Sequence, residues 1–466
     1  MLDRRSQSYR DTAGRMRRVG LVWLAGLVLV GCGSVARLQT ASPPPVSSMT
    51  TPSAAPSTSS AERPCADRRD RAPAASAAQE ATAVDVRYDD DSNTITLRGG
   101  EWVTLTAISR AVAQPQAVRE STPGEWLLSA NLVVERSAAL RIAAPEVRRL
   151  KLRSDDEGFI AIKVLGGRLE IVGTCVTSWD SARNTYDQHH ANGRSFVLAR
   201  DGARMDIRGA ELSYLGYDAD QSYGVAWRLA GTTGELIDSY LGYNFYGLYT
   251  YEASDLVIRG NEVHHSVRYG IDPHTRSNRL LIERNVSHHN GKHGIILAET
   301  CDDNIIRNNT VYANALHGIV IYQRSNNNLV EGNTSYANGQ QGINVNDSTR
   351  TTIRDNTVYD NAEVGIGVGQ DATDTLVEAN RVHDNREDGI FLYSGATKTL
   401  LQGNTVSHNA RYGIYVKSAG NQIGGGNQIF GNTVGVYLNA DPAPDVSREA
   451  NRIYDNREAD VRSDAN

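Results

Sequence analysis

Asn285-Val-Ser-His-His-Asn290, Gly294-Ile-Ile-Leu297, Asn309-Thr-Val-Tyr-Ala-Asn314, Gly318-Ile-Val-Ile321, Asn333-Thr-Ser-Tyr-Ala-Asn338 and Gly342-Ile-Asn-Val345 are one phrase said three times, and they decide the fold. Both marks return every 24 residues here: Asn285, Asn309, Asn333, and Gly294, Gly318, Gly342. Followed outward, the Asn mark runs from Asn261 through Asn356, Asn380, Asn404 and Asn427 to Asn451. The Gly mark runs from Gly247 and Gly270 through Gly365, Gly389 and Gly413 to Gly435. A period of this length means a solenoid, in which each repeat is one coil stacked on the last.

The apolar runs within each repeat are short and rich in β-branched residues, as in Leu256-Val-Ile258, Ile305-Ile306 and Leu376-Val377. They are too short for helices, and Gly, Asn and Asp separate them. Three short strands and three turns per repeat predict a single-stranded, right-handed parallel β-helix, an all-β fold whose coils stack about 4.8 Å apart. The repeated Asn reads as structural. Its side chain tolerates left-handed backbone, and stacked amides can bond to one another in a ladder. The Gly reads as a corner and the Ile after it as interior.

Upstream, Arg15, Arg17 and Arg18 precede an apolar run, Leu21 to Val30, that ends in Leu29-Val-Gly-Cys32. This predicts a secretory signal over residues 1–32, and the tetrapeptide resembles a bacterial lipoprotein box with lipidation at Cys32. Residues 33–83, rich in Ala, Ser, Thr and Pro, read as a disordered tether. The β-helix domain then spans 84–466: irregular N-terminal coils and a cap over 84–195, regular coils over 196–466. The expected localisation is the cell envelope or outside the cell, with membrane contact only through the lipid.

The 466-residue chain carries a net charge of −6, which argues against nucleic acid as a partner. Beyond Cys32, three cysteines remain, Cys65, Cys175 and Cys301, so at least one thiol is free. No metal-type cysteine spacing occurs, and neither a metal nor a cofactor is expected. The chain reads as a monomer.

The phase of the repeat places residues on faces. If the residue after each Gly points inward, the outward pairs are Ala226 and Arg228, Tyr249 and Tyr251, Asp272 and His274, Ile296 and Ala298, Val320 and Tyr322, Asn344 and Asn346. Tyr, Asn and Arg along one exposed groove suit a polysaccharide, whose rings pack on aromatic faces and whose hydroxyls need partners. Asp272 and His274 share this face, where a carboxylate would orient the ring and raise its basicity. Pro273 between them is costly inside a sheet and marks a distortion. Lys292 and His293 fall one coil on, near the same stripe.

Several segments resemble the bacterial mannuronan C5-epimerases of alginate biosynthesis: Trp179-Asp180, Ser195-Phe-Val-Leu198, Ser213-Tyr-Leu-Gly-Tyr217, Leu236-Ile-Asp-Ser239, Tyr246-Gly-Leu-Tyr-Thr-Tyr-Glu-Ala253, Tyr269-Gly-Ile-Asp-Pro-His274 and Lys292-His-Gly-Ile-Ile296. The resemblance covers about residues 102–466. It implies a right-handed parallel β-helix that inverts C5 of polymeric mannuronate without a cofactor, with His274 as the base and Asp272 orienting it. A base takes the C5 proton from one face and an acid returns one to the other. Tyr249 and Tyr322, or water, are candidates for the acid, and Tyr251 and Asn344 for binding the polymer.

Two positions depart from the family's motif. Thr275 stands where the family has Asp. Glu299 stands where the family has the Arg that neutralises the substrate carboxylate, and Lys292, Arg276 and Arg324 are the candidate replacements. A polysaccharide lyase begins with the same proton abstraction and is the nearest alternative. A non-catalytic glycan-binding lipoprotein is the alternative from another class.

Overall fold

A computed structural model describes residues 85–464. The signal segment, Cys32 and the tether expected from the sequence lie outside the described residues. Those that are described form a right-handed β-solenoid of about 14 turns with coils of about 24 residues. Each regular coil contributes one strand to each of three parallel sheet faces. In the coil of Asp272 these are Ile271–His274, Leu281–Glu283 and Val286–His288. Ile271–His274 pairs with Leu248–Tyr251 on one side and Ile295–Ala298 on the other. Leu281–Glu283 pairs with Ile305–Arg307, and Val286–His288 with Thr310–Tyr312.

The residue after each Gly points inward, as its phase predicts. Ile271, Ile295, Ile319, Ile343, Ile366, Ile390 and Ile414 stack through the interior, all fully buried. Burial of each such side chain is worth about 1.5–3 kcal/mol against exposure. The Gly itself is required by close approach rather than by a special dihedral. A Cβ on Gly318 would lie 2.2 Å from Ser335 Oγ and 2.5 Å from the carbonyl oxygen of Gly342, on the next coil.

Among the described residues two long Asn ladders are present, and Asn304 and Asn328 form a separate short step of the same kind. Asn309 Nδ2 donates to Asn333 Oδ1 (3.0 Å) and to the Ile282 carbonyl (2.9 Å), and the Asn309 backbone N–H donates to the same Oδ1 (2.9 Å). This unit repeats from Asn261 to Asn451. The Asn that closes each phrase builds the second ladder, from Asn290 through Asn314 and Asn338 to Asn456. One expectation needs correcting: the ladder Asn is not itself left-handed. The residue before it is, as at Arg284 (φ 54°), Asn308 (φ 56°) and Asp355 (φ 55°). That residue turns the corner, and the Asn caps the backbone groups the turn leaves unpaired.

The N-terminal end holds an element that the short apolar runs did not announce. The helix α1 (Leu105–Val112) begins at Thr104, whose Oγ1 accepts from the Ala107 N–H, and it buries Leu105 and Ile108. It packs against the first strands, where Asp85–Asp89 runs antiparallel to Thr94–Val103. An open solenoid end exposes apolar interior and unpaired strand edges, and a cap of this kind covers them. Among the described residues no helix is long and apolar enough to cross a membrane. Cys175 is disulfide-bonded, and Cys301 is a free, buried thiol.

A break in a ladder should be costly, because neighbours on both sides lose a partner. Asn333→Ala is expected to lower unfolding free energy by about 1–3 kcal/mol, the cost of leaving buried polar groups unpaired. Denaturant unfolding measures this. A change below about 0.5 kcal/mol would mean the ladder is not a main brace of the stack.

Candidate active site

The register of the first face sets the site. Ala226 lies opposite Tyr249 and Arg228 opposite Tyr251; on the next coil Tyr249 meets Asp272 and Tyr251 meets His274. His274 then faces Ala298, which faces Tyr322, which faces Asn346. The outward pairs read from the phase are therefore true neighbours. At the centre the backbone pairing thins: Ile271–His274 meets its successor at Ile271 and His274 and not at Asp272 or Pro273. Pro273 has no N–H to give the ladder, which accounts for the gap.

The stripe is not an open groove at this point. Asp272 is fully buried and Tyr249 only 5% exposed. Tyrosines that immediately precede the phase-marking glycines form a wall over them. The Tyr223 and Tyr249 rings are 4.8 Å apart, Tyr246 and Tyr249 5.6 Å, and Tyr246 and Tyr269 5.5 Å. The stack goes on through His293 (5.2 Å from Tyr269) and His317 (5.0 Å from His293). His293 Nδ1 accepts from the His317 backbone N–H at 3.2 Å, which fixes it as a neutral ring with its proton on Nε2. The wall is missed by a reading of outward pairs alone. Its sequence signal is the repeated Tyr-Gly at Tyr223, Tyr246 and Tyr269.

Asp272 does not orient His274. Neither carboxyl oxygen of Asp272 has a hydrogen-bond partner. Burial pushes its pKa well above the usual carboxylate range; Glu299 adds to the rise and Lys292 opposes it. Burial thus favours the neutral acid form of Asp272, which faces the tyrosines. His274 Nδ1 instead lies 2.7 Å from Thr275 Oγ1, and Thr275 Oγ1 donates to Glu299 Oε2 at 3.0 Å. Burial lowers the His274 pKa; Glu299 opposes that shift and Arg228 adds to it. The expected rise in basicity from Asp272 is absent because a neutral carboxyl supplies no charge.

Arg228, an outward residue of the stripe not among the three expected cations, is a buried cation there. Its guanidinium lies 4.7 Å from the Tyr251 ring centre and 5.7 Å from that of Tyr249, and Nη1 meets Asp220 Oδ1 at 2.7 Å. Lys292 Nζ lies over the Tyr269 ring at 5.4 Å. The other two expected cations stand apart from the stripe, in corners. Arg276 is ion-paired with Glu252, and Arg324 is exposed after the strand Ile319–Tyr322. Tyr322 packs beside Ile296, Ala298 and Val320.

Asn344 is not available to a ligand as expected. It is 2% exposed, and its Nδ2 donates to Gln341 Oε1 (2.5 Å) and Tyr393 Oη (3.2 Å). The cause lies on the coils beyond. Gly367 and Gly369 leave a gap in the stripe, and Gln341 and the Tyr393 ring fill it, where any Cβ would collide with them. No cluster of three or more His, Cys, Asp or Glu suited to a metal occurs among the described residues.

A family model described as the right handed beta helix region matches residues 182–335, 290–425 and 341–465. The chain belongs to the right-handed β-helix family. Among proteins similar to this β-helix, the mannuronan C5-epimerase AlgG of Azotobacter vinelandii is 32% identical over 209 residues, 42% of this chain and 39% of that protein. The mannuronan C5-epimerase of Pseudomonas aeruginosa is 32% identical over 195 residues, 39% of this chain and 35% of that protein. The aligned part thus spans less than two fifths of these relatives' length. The crystal structure of the periplasmic alginate epimerase AlgG superposes with a TM-score of 0.65 at 26% identity, covering 68% of this chain and 80% of that one.

The neutral Asp272 has a consequence for stability. In the unfolded chain an aspartate ionises above about pH 4. The folded carboxyl keeps its proton, so stability is lost as pH rises from about 4 through the raised folded pKa. Asp272→Asn removes that loss. It is expected to stabilise the fold at pH 7 by about 1.4 kcal/mol for each pH unit between the ordinary aspartate pKa and the lower of pH 7 and the folded pKa. The gain should vanish near pH 3.5. Thermal unfolding at both pH values tests this, and a gain independent of pH would show that the carboxyl ionises normally.

Proposed function

We propose that this chain is a polyuronate C5-epimerase acting on a mannuronan- or alginate-like polymer. The observation that carries the reading is a neutral, oriented imidazole, His274, on a tyrosine-walled stripe beside a buried arginine and a protonated aspartate. The similarity to mannuronan C5-epimerases supports it. The C5 proton lies α to a carboxylate and is very weakly acidic, so charge on that carboxylate must be neutralised before the proton can leave.

Arg228 and Lys292 supply positive charge, and the Asp272 carboxyl can donate a hydrogen bond because burial keeps it protonated. His274 takes the proton from C5, and the electron pair of the broken C–H bond is held by the neutralised carboxyl group. A proton returned to the opposite face restores the C–H bond with inverted configuration. Tyr249 is the favoured acid. Its ring lies 5.8 Å from that of His274, and burial raises its pKa and keeps it protonated. Tyr251 and Tyr322 line the path along the stripe, and His293 borders it.

Incubation with polymannuronate in deuterated water should give C5 deuteration and guluronate signals by NMR, and His274→Ala should reduce the rate at least about 10²-fold. Accumulation of an ultraviolet-absorbing unsaturated uronate would instead show a lyase, since elimination creates that double bond. Binding without any exchange would show a glycan-binding protein.

The disulfide at Cys175 fits an oxidising compartment. Together with the signal-like N-terminus it supports export, and the Leu29-Val-Gly-Cys32 box supports a lipid anchor on Cys32. In a bacterial host, metabolic labelling with a fatty acid should mark the protein, and Cys32→Ala should abolish the label. Equal labelling of the variant would refute the anchor.

A further inference from the structure

His274 closes the strand Ile271–His274, and the chain then turns a corner at Thr275 (φ 32°) and Arg276 (φ 55°). One coil on, Glu299 (φ 64°) opens the equivalent corner after Ala298. The stacking is fixed by backbone bonds: Thr275 N–H to the Ala298 carbonyl (2.8 Å) and Arg276 N–H to the Glu299 carbonyl (3.0 Å). The repeat therefore holds the Thr275 hydroxyl between an imidazole nitrogen and a carboxylate, at 2.7 Å from His274 Nδ1 and 3.0 Å from Glu299 Oε2. The two positions at which the chain departs from the epimerase motif are in contact with each other.

Counting protons decides the direction of this relay. An ionised carboxylate only accepts hydrogen bonds, so the single proton of the Thr275 hydroxyl goes to Glu299. The threonine oxygen can then only accept from His274. The Nδ1 of His274 must carry the ring proton, and Nε2 is left with its lone pair. We propose that Glu299, acting through Thr275, is a positioning residue that holds His274 in the Nδ1–H tautomer and so makes Nε2 the base.

The other groups around the ring do not compete for this role. Tyr249 and Tyr251 adjoin His274 from the preceding coil, with Arg228 beyond them; Ala298 and Tyr322 follow, and Asp272 shares its strand. The hydrogen bond seen at His274 Nδ1 is the one to the Thr275 hydroxyl, at 2.7 Å. When Nε2 takes a proton, the ring becomes an imidazolium whose Nδ1–H still points at the hydroxyl. The Glu299 charge then stabilises the cation at a distance of two hydrogen bonds, without accepting the proton itself. This is the logic by which a carboxylate orients a catalytic histidine, with one hydroxyl inserted. It also removes the difficulty Glu299 poses as a substrate contact, since its charge faces the base rather than the uronate. Only the identity of the proton that Nε2 takes rests on the epimerase reading; the tautomer does not.

The test uses the full chain labelled with ¹⁵N-histidine, the His274 signals being assigned by their loss in His274→Gln. The expected spectrum at pH 7 shows a protonated Nδ1 and a bare Nε2. Thr275→Val and Glu299→Gln should both move His274 toward the Nε2–H tautomer, the second because the hydroxyl is then free to donate to the ring. Thr275→Ser should keep the original tautomer. In the exchange assay Thr275→Val should lower kcat on the order of 10²-fold with KM little changed, and Thr275→Ser should restore it to within about threefold. An Nε2–H ring in the unaltered protein, or a tautomer unmoved by Thr275→Val, overturns the proposal. Absence of any C5 exchange with the expected tautomer present would instead overturn the epimerase reading and leave the relay standing.

Discussion

Everything in this molecule depends on parallel backbone pairing between coils that keep nearly the same length. Pairing fixes the rise, and the two Asn ladders hold the corners in register. Each ladder Asn bonds a backbone carbonyl on one side and its counterpart's amide oxygen on the other, as Asn309 does to Ile282 and Asn333. A residue inserted within a strand would carry the side chains after it in that strand to the opposite face. The occasional 23-residue step, as from Asn333 to Asn356, keeps its amide bond at 3.0 Å because the change is absorbed in a turn.

On that frame the site is built by what the stacked face lacks. Pro273 removes a backbone donor just where Asp272 and His274 project, and the tyrosine wall closes over them. Burial does two things at once. It keeps Asp272 protonated, and it keeps His274 neutral at physiological pH. The first costs stability, since two carboxyl oxygens have no partner. Such costs are characteristic of sites whose groups are prepared for a substrate rather than for the fold.

The site was partly legible before the fold was known. The outward pairs from Ala226 and Arg228 to Asn344 and Asn346 follow from the phase, because in a parallel stack equal phase means adjacency. The same phase puts Thr275 beside Glu299, but it cannot show that a hydroxyl proton points to the carboxylate. In sequence each looks like a separate departure from the motif, whereas in the structure the two are bonded to each other. Arg228 is on the predicted stripe, but its role as a cation depends on burial by Tyr249 and Tyr251, which the phase does not show. At Asn344 the reason is different: Gly367 and Gly369 on the adjacent coil let Tyr393, two coils on, fold down over it, and such a vacancy is invisible in a list of outward residues. Helix α1 leaves little trace in the sequence because its 8 residues give only about two turns of periodicity.

The sequence by itself determined the solenoid, its period, the inward Ile column, the Asn ladders and the face that carries Asp272 and His274. Those are consequences of repetition, and repetition is written in the chain. Only the tertiary structure decided which groups are shielded from water and where each hydrogen bond points. Asp272 became a neutral acid, Arg228 the buried cation and Glu299 the far end of a relay because of rings and corners brought in from neighbouring coils. Protonation and hydrogen-bond direction depend on those surroundings, and a side chain's surroundings are set by three-dimensional packing.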